Sequence, residues 1–430
     1  MKSASSAPMV RRHLRRASIG IALAGGLLLS ACAPSNAASE EEIVLDFPSW
    51  QANEPGNSDV FKAIIAEFES RHPGVTVNLY HVANEDFVST ILTQLQAGDP
   101  PDIIPSGSSQ YFPFVETGLI EPLTDRLEES GLLDTWTSSQ DDRLVDGDYY
   151  ALTLHGLIRL LHYNEAYLAE AGVEVPSTPE ELRAAVEAVE AAGLSDVSGW
   201  GATTTTHPNL TGELTAFVLG MGKSWITDGE WTVDDPGTAE AVQLYRDLAS
   251  QAPPGLNGGQ YRQLMADGKI AMSHDGNWVV SFFDEASPAD VRPQLQVAPS
   301  PFEHAVMLMG TGLSMPKDIS DERKDLVWEF IQVAAEEEFQ ALWAEYLNAA
   351  PGRLDSIPDA LIAERPELAV IQANIDKSIS EWPDSVNFRK NFGEIDIAFQ
   401  DAVMRMLTGD EPTSEILTEL EAQLASITEP

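Results

Sequence analysis

The stretch Asp146–Leu182, DGDYYALTLHGLIRLLHYNEAYLAEAGVEVPSTPEEL, decides how this chain folds. It opens on a polar turn, Asp146-Gly147-Asp148. The apolar segment from Tyr149 to Leu161 is rich enough in Leu and Tyr to predict one or two buried strands. Tyr163-Asn164 then opens a short helix, Glu165 to Ala171, which Gly172 stops. Val173 to Pro176 leads to the next helix start, with Thr178 as N-cap, Pro179 at the first helical position and Glu181 closing a capping box. The strand is long enough to leave one domain and enter another, which makes it a candidate hinge.

The chain outside it is consistent with two domains. Its 430 residues are too many for one compact core. Apolar residues make up 43% of it, enough for ordinary burial, but 25 basic against 68 acidic residues give a formal charge of −43. Lys2, Arg11, Arg12, Arg15 and Arg16 lie in the first 31 residues, which hold no acid, so the remainder carries 20 basic against 68 acidic residues, or −48. Such a surface repels nucleic acid and anionic membrane and suits solubility outside the cell. The first 31 residues read as a targeting segment: a basic part, Arg11 to Arg16, then an apolar part, Ile19 to Leu29, too short to anchor in a bilayer. It ends in Leu29-Ser30-Ala31-Cys32. Cys32 is the only cysteine, so an internal disulfide is excluded. Its position resembles a bacterial lipobox, in which the cysteine takes lipid and becomes the first mature residue; a plain secretory signal is the other reading. Residues 32–42 then form a small, polar, acidic tether.

From Ile43 onward, strand and helix signals alternate. A first strand, Ile43 to Phe47, leads into Pro48-Ser49-Trp50-Gln51-Ala52-Asn53, a polar loop with one Trp that suits either a ligand site at a strand's carboxyl end or a cap on the core. Asn57 or Ser58 caps a helix with the stripe Phe61, Ile64, Ile65 and Phe68. Val75 to Val82 alternates as a strand. Phe87 to Gln96 is helical, and Pro100 to Ile104 is a third strand, so the βαβαβ order implies a parallel sheet covered by helices. Ser106-Gly107-Ser108-Ser109-Gln110 offers hydroxyl donors to a ligand or caps the helix from Tyr111. Further on, Ile270-Ala271-Met272 is a strand running into Asp275-Gly276-Asn277-Trp278, and Val297 to Pro301 is a short strand. Asp321 to Asn348 is a helical pair, and residues 358–430 read as helices.

These pieces, in this order, resemble the carbohydrate (maltose-like) class of extracellular solute-binding proteins of ABC importers. The matching stretches are FKAIIAEFESRHPGVTVNLY, LTQLQAGDPPDIIPSG, TGLIEPL, the quoted hinge stretch, GKIAMSHDGNWVV, MGTGLSMPKD, VWEFIQVAAEEEFQ and AAPGRL. Thr153 stands where that family usually has proline. The resemblance implies an α/β, two-lobed, type II periplasmic-binding-protein-like fold, with a ligand cleft between lobes joined by a multi-strand hinge. One lobe would be 43–150 with 309–349 and the other 156–302 with 354–430. The hinge crossings would lie near 151–155, 303–308 and 349–353. The implied function is capture of an extracellular sugar and its delivery to the transmembrane permease subunits of the importer. The implied protein is a lipid-anchored monomer outside the cell, with neither cofactor nor catalytic step.

A sugar needs flat aromatic platforms for its CH faces and polar groups for its hydroxyls. Trp278 matches the family's Gly-x-Trp position, with Asp275 and Asn277 beside it. Trp50, Gln51 and Asn53 are the expected counterparts from the other lobe, and Ser108 and Ser109 the hydroxyl donors. His155 lies on the hinge strand, Gly310 and Thr311 offer backbone donors, Arg353 a fork of donors, and Trp382 a further platform. Each of these also suits core packing or capping. Two alternatives remain at this level. One is the same fold binding a polyamine, cation or peptide. The other is a surface glycoside hydrolase, which would need two carboxylates about 5–10 Å apart. The scattered His207, His274 and His304 do not argue for a metal.

Overall fold

The computed structural model describes residues 43–375, 378–380 and 391–429, apart from the side chains of Glu85, Ser108 and Ser109. Residues 1–42, with the expected targeting segment and Cys32, and Trp382 lie outside the described residues.

Strands β1 (Ile43–Ser49), β2 (Val75–His81) and β3 (Ile104–Ser106) alternate with the helices Asn57–Arg71 and Asn84–Ala97. The stripe Phe61, Ile64, Ile65 and Phe68 is buried, as its spacing requires. The first helix is capped one residue earlier than expected. Gly56, at φ 79°, is the N-cap, and its N–H donates to the Asp59 carboxylate at 3.2 Å. β1 and β2 pair in parallel from Ile43↔Val75 to Ser49↔His81. The expected parallel sheet stops there. β3 begins later than expected, at Ile104, and pairs antiparallel with a strand from far along the chain. Its link to β1 runs through Asp102 and Ile103, whose N–H groups both donate to the Asp46 carbonyl, at 3.0 and 3.1 Å.

The hinge stretch breaks into β4 (Leu144–Val145), β5 (Asp148–Tyr149), β6 (Leu152–Thr153) and the ten-residue β7 (His155–Asn164). Asn164 caps the helix Glu165–Ala171 by accepting from Ala166 and Tyr167, and Gly172, at φ 71°, ends it. Thr178 caps the helix Pro179–Ala192 as expected, while the Glu181 carboxylate reaches past it to the N–H and hydroxyl of Ser177. β8 (Ser198–Gly201), a hairpin of β9 (Ile226–Thr227) and β10 (Glu230–Trp231), β11 (Ile270–Gly276), β12 (Leu295–Ala298), β13 (Ala305–Met309), β14 (Gly312–Ser314), β15 (Ala350–Pro351) and β16 (Ser378–Ser380) follow.

β7 organises the larger sheet, of order β16-β13-β7-β11-β8, with β12 and β15 also paired to β7. A smaller sheet has the order β3-β14-β6. The chain steps between the sheets at Leu154, from β6 to β7, and at Gly310-Thr311, from β13 to β14; the second step falls just past residues 303–308. β15, after the helix Glu337–Leu347, adds a third connection against β7.

The main cores follow the same division. One joins Leu45, Phe61 and Leu152 to Leu313, Trp328 and Trp343. The other joins Leu161, Trp200 and Phe217 to Phe302, Phe399 and Leu420. Each is built from discontinuous stretches of sequence, and together they make a two-lobed α/β fold.

Candidate ligand site

Ligands of open α/β sheets bind at the carboxyl ends of strands. β1, β3 and β11 all end in residues expected at the site. β1 runs into the 3-10 turn Trp50–Asn53, and β3 into Gly107 and the helix Ser108–Val115, whose first residues are Ser108 and Ser109. β11 runs through Gly276 and Asn277 to Trp278 and the helix Val279–Ala286.

Four expected residues meet where the sheets join. The Thr311 hydroxyl donates to Gln51 Oε1 at 3.0 Å, and both side chains are buried. Gly310 lies against the His155 backbone, where a Cβ would also fall 2.7 Å from His155 Nδ1. The His155 ring packs on Trp343, with centroids 4.5 Å apart at 35°. Burial, then the charge of Arg143, pushes the His155 pKa down to about 3, so the ring is neutral. This cluster ties the loop after β1 to the step between the sheets through the Thr311–Gln51 bond, while both ring nitrogens of His155 are buried without a hydrogen-bond partner among the described residues. Trp50 is half-buried, its ring edge-on to Phe87 at 4.8 Å. Asn53 is exposed at the end of the turn.

Two expected ligand contacts are committed elsewhere. The Asp275 carboxylate is fully buried and accepts from Arg262 Nε at 2.6 Å, Arg262 Nη2 at 3.1 Å, the Tyr261 hydroxyl at 2.5 Å and the Gly276 N–H at 2.7 Å. Burial would raise its pKa, but the Arg262 charge and hydrogen bonds outweigh that and hold it well below the carboxylate range. Asn277 is also fully buried. Its Oδ1 accepts from the Ile158 N–H at 2.8 Å and its amide donates to the Asn348 carbonyl, so it bridges β7 to the end of the helix Glu337–Leu347. Both correct the expectation of hydroxyl contacts, because their partners come from distant parts of the chain.

Trp278 packs against a small core that includes Tyr261, Val279 and Phe283. It is half-buried at the start of its helix, and its ring lies over Gly276, where a Cβ would occupy the ring's volume. The Arg262 guanidinium, locked by Asp275, sits 5.6 Å from the indole centroid. Such a cation holds one side of the ring in place. Arg353 serves the third connection: its N–H donates to Gln340 Oε1 at 3.2 Å and Nη1 reaches the Ala335 carbonyl at 3.4 Å. It also borders a cavity of about 200 Å³ with Thr137 and Ser356.

Sequence reasoning missed Arg143. Its side chain is completely buried, and Nη2 donates to the carbonyls of Ser106 (3.1 Å) and Gly310 (2.6 Å), while Nε donates to the Thr153 hydroxyl at 3.2 Å. It thus joins the ends of β3, β6 and β13, and its guanidinium lies 4.7 Å from the Tyr111 ring. Burial pushes its pKa down to about 10, still charged at neutral pH. The departure at Thr153 is explained here too. Its N–H donates to Gln140 Oε1 at 2.9 Å and its hydroxyl to the Ser139 carbonyl at 3.2 Å, bonds that proline cannot make.

His274, on β11, is likewise buried, bonded to the Ser300 hydroxyl at 3.0 Å, with its pKa pushed down to about 3 by burial and then by Arg159. In the unfolded chain a histidine titrates near ~6.5. Below that pH the unfolded state gains a proton that the folded state refuses, so stability falls as pH drops from ~6.5 towards the folded value. At pH 5 each such histidine removes about 2 kcal/mol. Denaturant melts of His274→Gln against the parent are expected to show a shallower loss of stability between pH 6.5 and pH 4.5. Identical slopes would mean that His274 titrates alike in both states.

The comparisons agree with this architecture. The chain belongs to the bacterial extracellular solute-binding protein family, whose model matches residues 52–341. A binding protein of Brucella abortus is 24% identical over 282 residues, covering 61% of this chain and 65% of the relative, so the chain spans slightly under two thirds of that relative's length. The arabinooligosaccharide-binding protein of Halalkalibacterium halodurans is 25% identical over 320 residues, 69% of each chain. The diacetylchitobiose binding protein DasA of Streptomyces coelicolor is 24% identical over 287 residues, covering 61% of this chain and 63% of its own. Among solved structures, the sugar-binding protein MalE from Xanthomonas citri superposes with a TM-score of 0.77 at 19% identity, covering 90% of this chain and 97% of that one. The GacH receptor of Streptomyces glaucescens gives 0.74 at 19% identity, covering 90% and 99%. These structures share the two-lobed fold.

Proposed function

We propose that this chain captures an extracellular mono- or oligosaccharide between its lobes and delivers it to the permease subunits of an ABC importer. The observation that carries the reading is Trp278: a half-buried indole on a glycine step at the carboxyl end of β11, held from one side by Arg262, in a chain of the solute-binding family. Relatives named for arabinooligosaccharide and diacetylchitobiose binding support a sugar as the solute class. Residues 43–150 with 309–349 form one lobe in this reading and 156–302 with 354–430 the other. Trp50 and Asn53 contribute to the ligand site from the first in this reading, and Trp278 from the second.

The indole offers an apolar face to the CH groups of a pyranose, and such aromatic anchors contribute about 2 kcal/mol or more when truncated. Trp278→Ala is therefore expected to weaken sugar binding roughly thirtyfold in calorimetric titration. The melting temperature of the free protein should fall less than for a fully buried Trp, because the side chain is half-buried against its small core. A large fall in melting temperature with affinity intact would make Trp278 a core residue, for which truncation costs about 3–5 kcal/mol.

Binding rather than hydrolysis suits the chemistry beside Trp278. Asp275, the nearest acid in sequence, is held ionised with its oxygens engaged by Arg262, Tyr261 and Gly276, which suits neither a nucleophile nor a proton donor. Incubation with a maltooligosaccharide should leave it uncleaved; appearance of shorter products would overturn this. In this reading the chain is anchored outside the cell through lipid on Cys32, which the Leu29-Ser30-Ala31-Cys32 sequence supports. Cys32→Ser should release soluble protein or leave an unprocessed precursor, and normal processing with membrane retention would refute the anchor.

A further inference from the structure

We propose that the segment Trp136–Arg143 is a collar that fastens all three connections between the sheets to the first lobe, so that they turn as one unit and closure over a ligand is a single motion. This rests on the reading of those connections as a hinge. The collar begins at Trp136, whose ring packs in the core of Leu45, Leu127 and Leu152, and continues as the 3-10 turn Ser138–Arg143. Its other end is tied to the same lobe, where the Tyr111 hydroxyl donates to the Arg143 carbonyl at 2.5 Å.

Each connection takes bonds from this one segment. On the first, the Trp136 indole N–H donates to the Thr153 carbonyl at 2.7 Å. The Gln140 side chain brackets the same strand: its nitrogen donates to the Ala151 carbonyl and its oxygen accepts the Thr153 N–H, both at 2.9 Å. On the second, Arg143 Nη2 donates to the Gly310 carbonyl at 2.6 Å, and a Cβ on Gly312 would fall 2.8 Å from the guanidinium carbon. On the third, the Thr137 N–H donates to the Gly352 carbonyl at 2.7 Å. Gly352 approaches so closely that a Cβ there would fall 2.6 Å from the Trp136 indole nitrogen. The connections also bond to one another through Leu154, whose N–H donates to the Thr311 carbonyl at 2.8 Å and whose carbonyl accepts the Gly352 N–H at 3.0 Å. Towards the larger sheet the segment offers the Ser138 hydroxyl, 3.4 Å from that of Ser378, a longer contact than any of these. Hinges are a few element-terminal residues that absorb backbone rotation. A connection held by a buried partner cannot turn alone without stranding that partner, which costs more than the bond contributes. With one segment gripping all three, the bending falls beyond its grip, at His155-Gly156, Met309 and Ala350-Pro351, which pair through β7 in the larger sheet.

The test is amide hydrogen exchange of the full chain without ligand, read by mass spectrometry in peptides covering residues 151–156, 307–312 and 349–354. Trp136→Phe removes the indole N–H and keeps a ring in the core. It is expected to quicken exchange in all three peptides, 307–312 included, by roughly fivefold, the order that one lost hydrogen bond gives. Gln340→Met is the control. Gln340 Oε1 accepts the Gly352 and Arg353 N–H groups at 2.9 and 3.2 Å from outside the collar, so its loss should quicken 349–354 alone. Both variants lose buried hydrogen bonds, so a general loss of stability would quicken all three peptides in both. Should Trp136→Phe not fold, Thr153→Val removes the hydroxyl that bonds Ser139 and Arg143, and quickening of 349–354 is then the expected sign of coupling. Quickening confined to the connections that lost a bond, or the same spread in Gln340→Met, would overturn the proposal. No sugar enters the measurement, so its failure is distinguishable from failure of the sugar reading.

Discussion

Asp275→Ala is expected to destabilise the folded chain by about 3–5 kcal/mol, the range for removing one partner of a buried ion pair. Truncation leaves the Arg262 guanidinium, whose side chain is only 20% exposed, without its carboxylate. It also strips the acceptor from the buried Tyr261 hydroxyl and from the Gly276 N–H. Nothing nearby replaces four hydrogen bonds to one carboxylate, and a buried cation without a counter-charge is the most expensive remnant of the change. Asp275→Asn, which keeps the shape and one oxygen acceptor, should lose less. Denaturant melts at neutral pH measure both, and an unaltered midpoint for the alanine variant would show that Arg262 finds solvent or another acceptor. Released from Asp275, Arg262 no longer fixes the indole, so tryptophan emission is expected to change with stability.

Gly310→Ala should also be severe, for a steric reason. The added Cβ would land on the His155 carbonyl oxygen and against its Nδ1, and the obstacle is mainly backbone, which cannot rotate away. Overpacking of this kind costs about 1–3 kcal/mol, and a backbone clash belongs at or above the upper end. The site is one of the steps between sheets, held by Arg143 through the Gly310 carbonyl, so the strain falls on the connection itself. Thermal melts are expected to show a clear drop in midpoint. A midpoint within a degree of the parent would mean that β13 and β7 can separate there at little cost.

Much of the fold was legible because its signals are local. Gly172 stops a helix through a left-handed φ, Thr178 caps one through its hydroxyl, and the stripe Phe61 to Phe68 buries by spacing alone. What escaped was set by distance along the chain. Arg143 sits in an acidic, polar run, Ser138-Ser139-Gln140-Asp141-Asp142-Arg143, and nothing there foretells burial. Its acceptors on Gly310 and Ser106 are 167 and 37 residues away. Likewise β3 was expected in a parallel sheet because its neighbours in sequence are parallel, yet its partner β14 lies some two hundred residues on.

The strand ends that carry the candidate residues were more legible than the tasks of those residues. The loops after β1, β3 and β11 were correctly singled out as strand ends, because a Trp, polar residues and glycines after an apolar run are a local pattern. The tasks of single residues were not. Asp275 and Asn277 flank Trp278 in sequence, but Arg262 claims the first and the Ile158 and Asn348 backbones claim the second. Thr311 was expected to offer a backbone donor, and the task of its side chain, a hydroxyl given to Gln51, was not foreseen. A charged or amide side chain beside an aromatic at a strand end is as useful for holding the loop as for meeting a ligand, and only the packed structure distinguishes the two.

The central claim is that a sugar binds between the two lobes and draws them together, a hinge closure of the kind that ligand-clasping two-domain proteins undergo. Small-angle scattering of the purified chain, titrated with a panel of mono- and oligosaccharides and with a polyamine and a peptide, tests it most directly. The account predicts a radius of gyration that falls saturably with at least one sugar and is unchanged by the polyamine and the peptide. An unchanged radius with every sugar, or compaction by the polyamine or peptide instead, would contradict it.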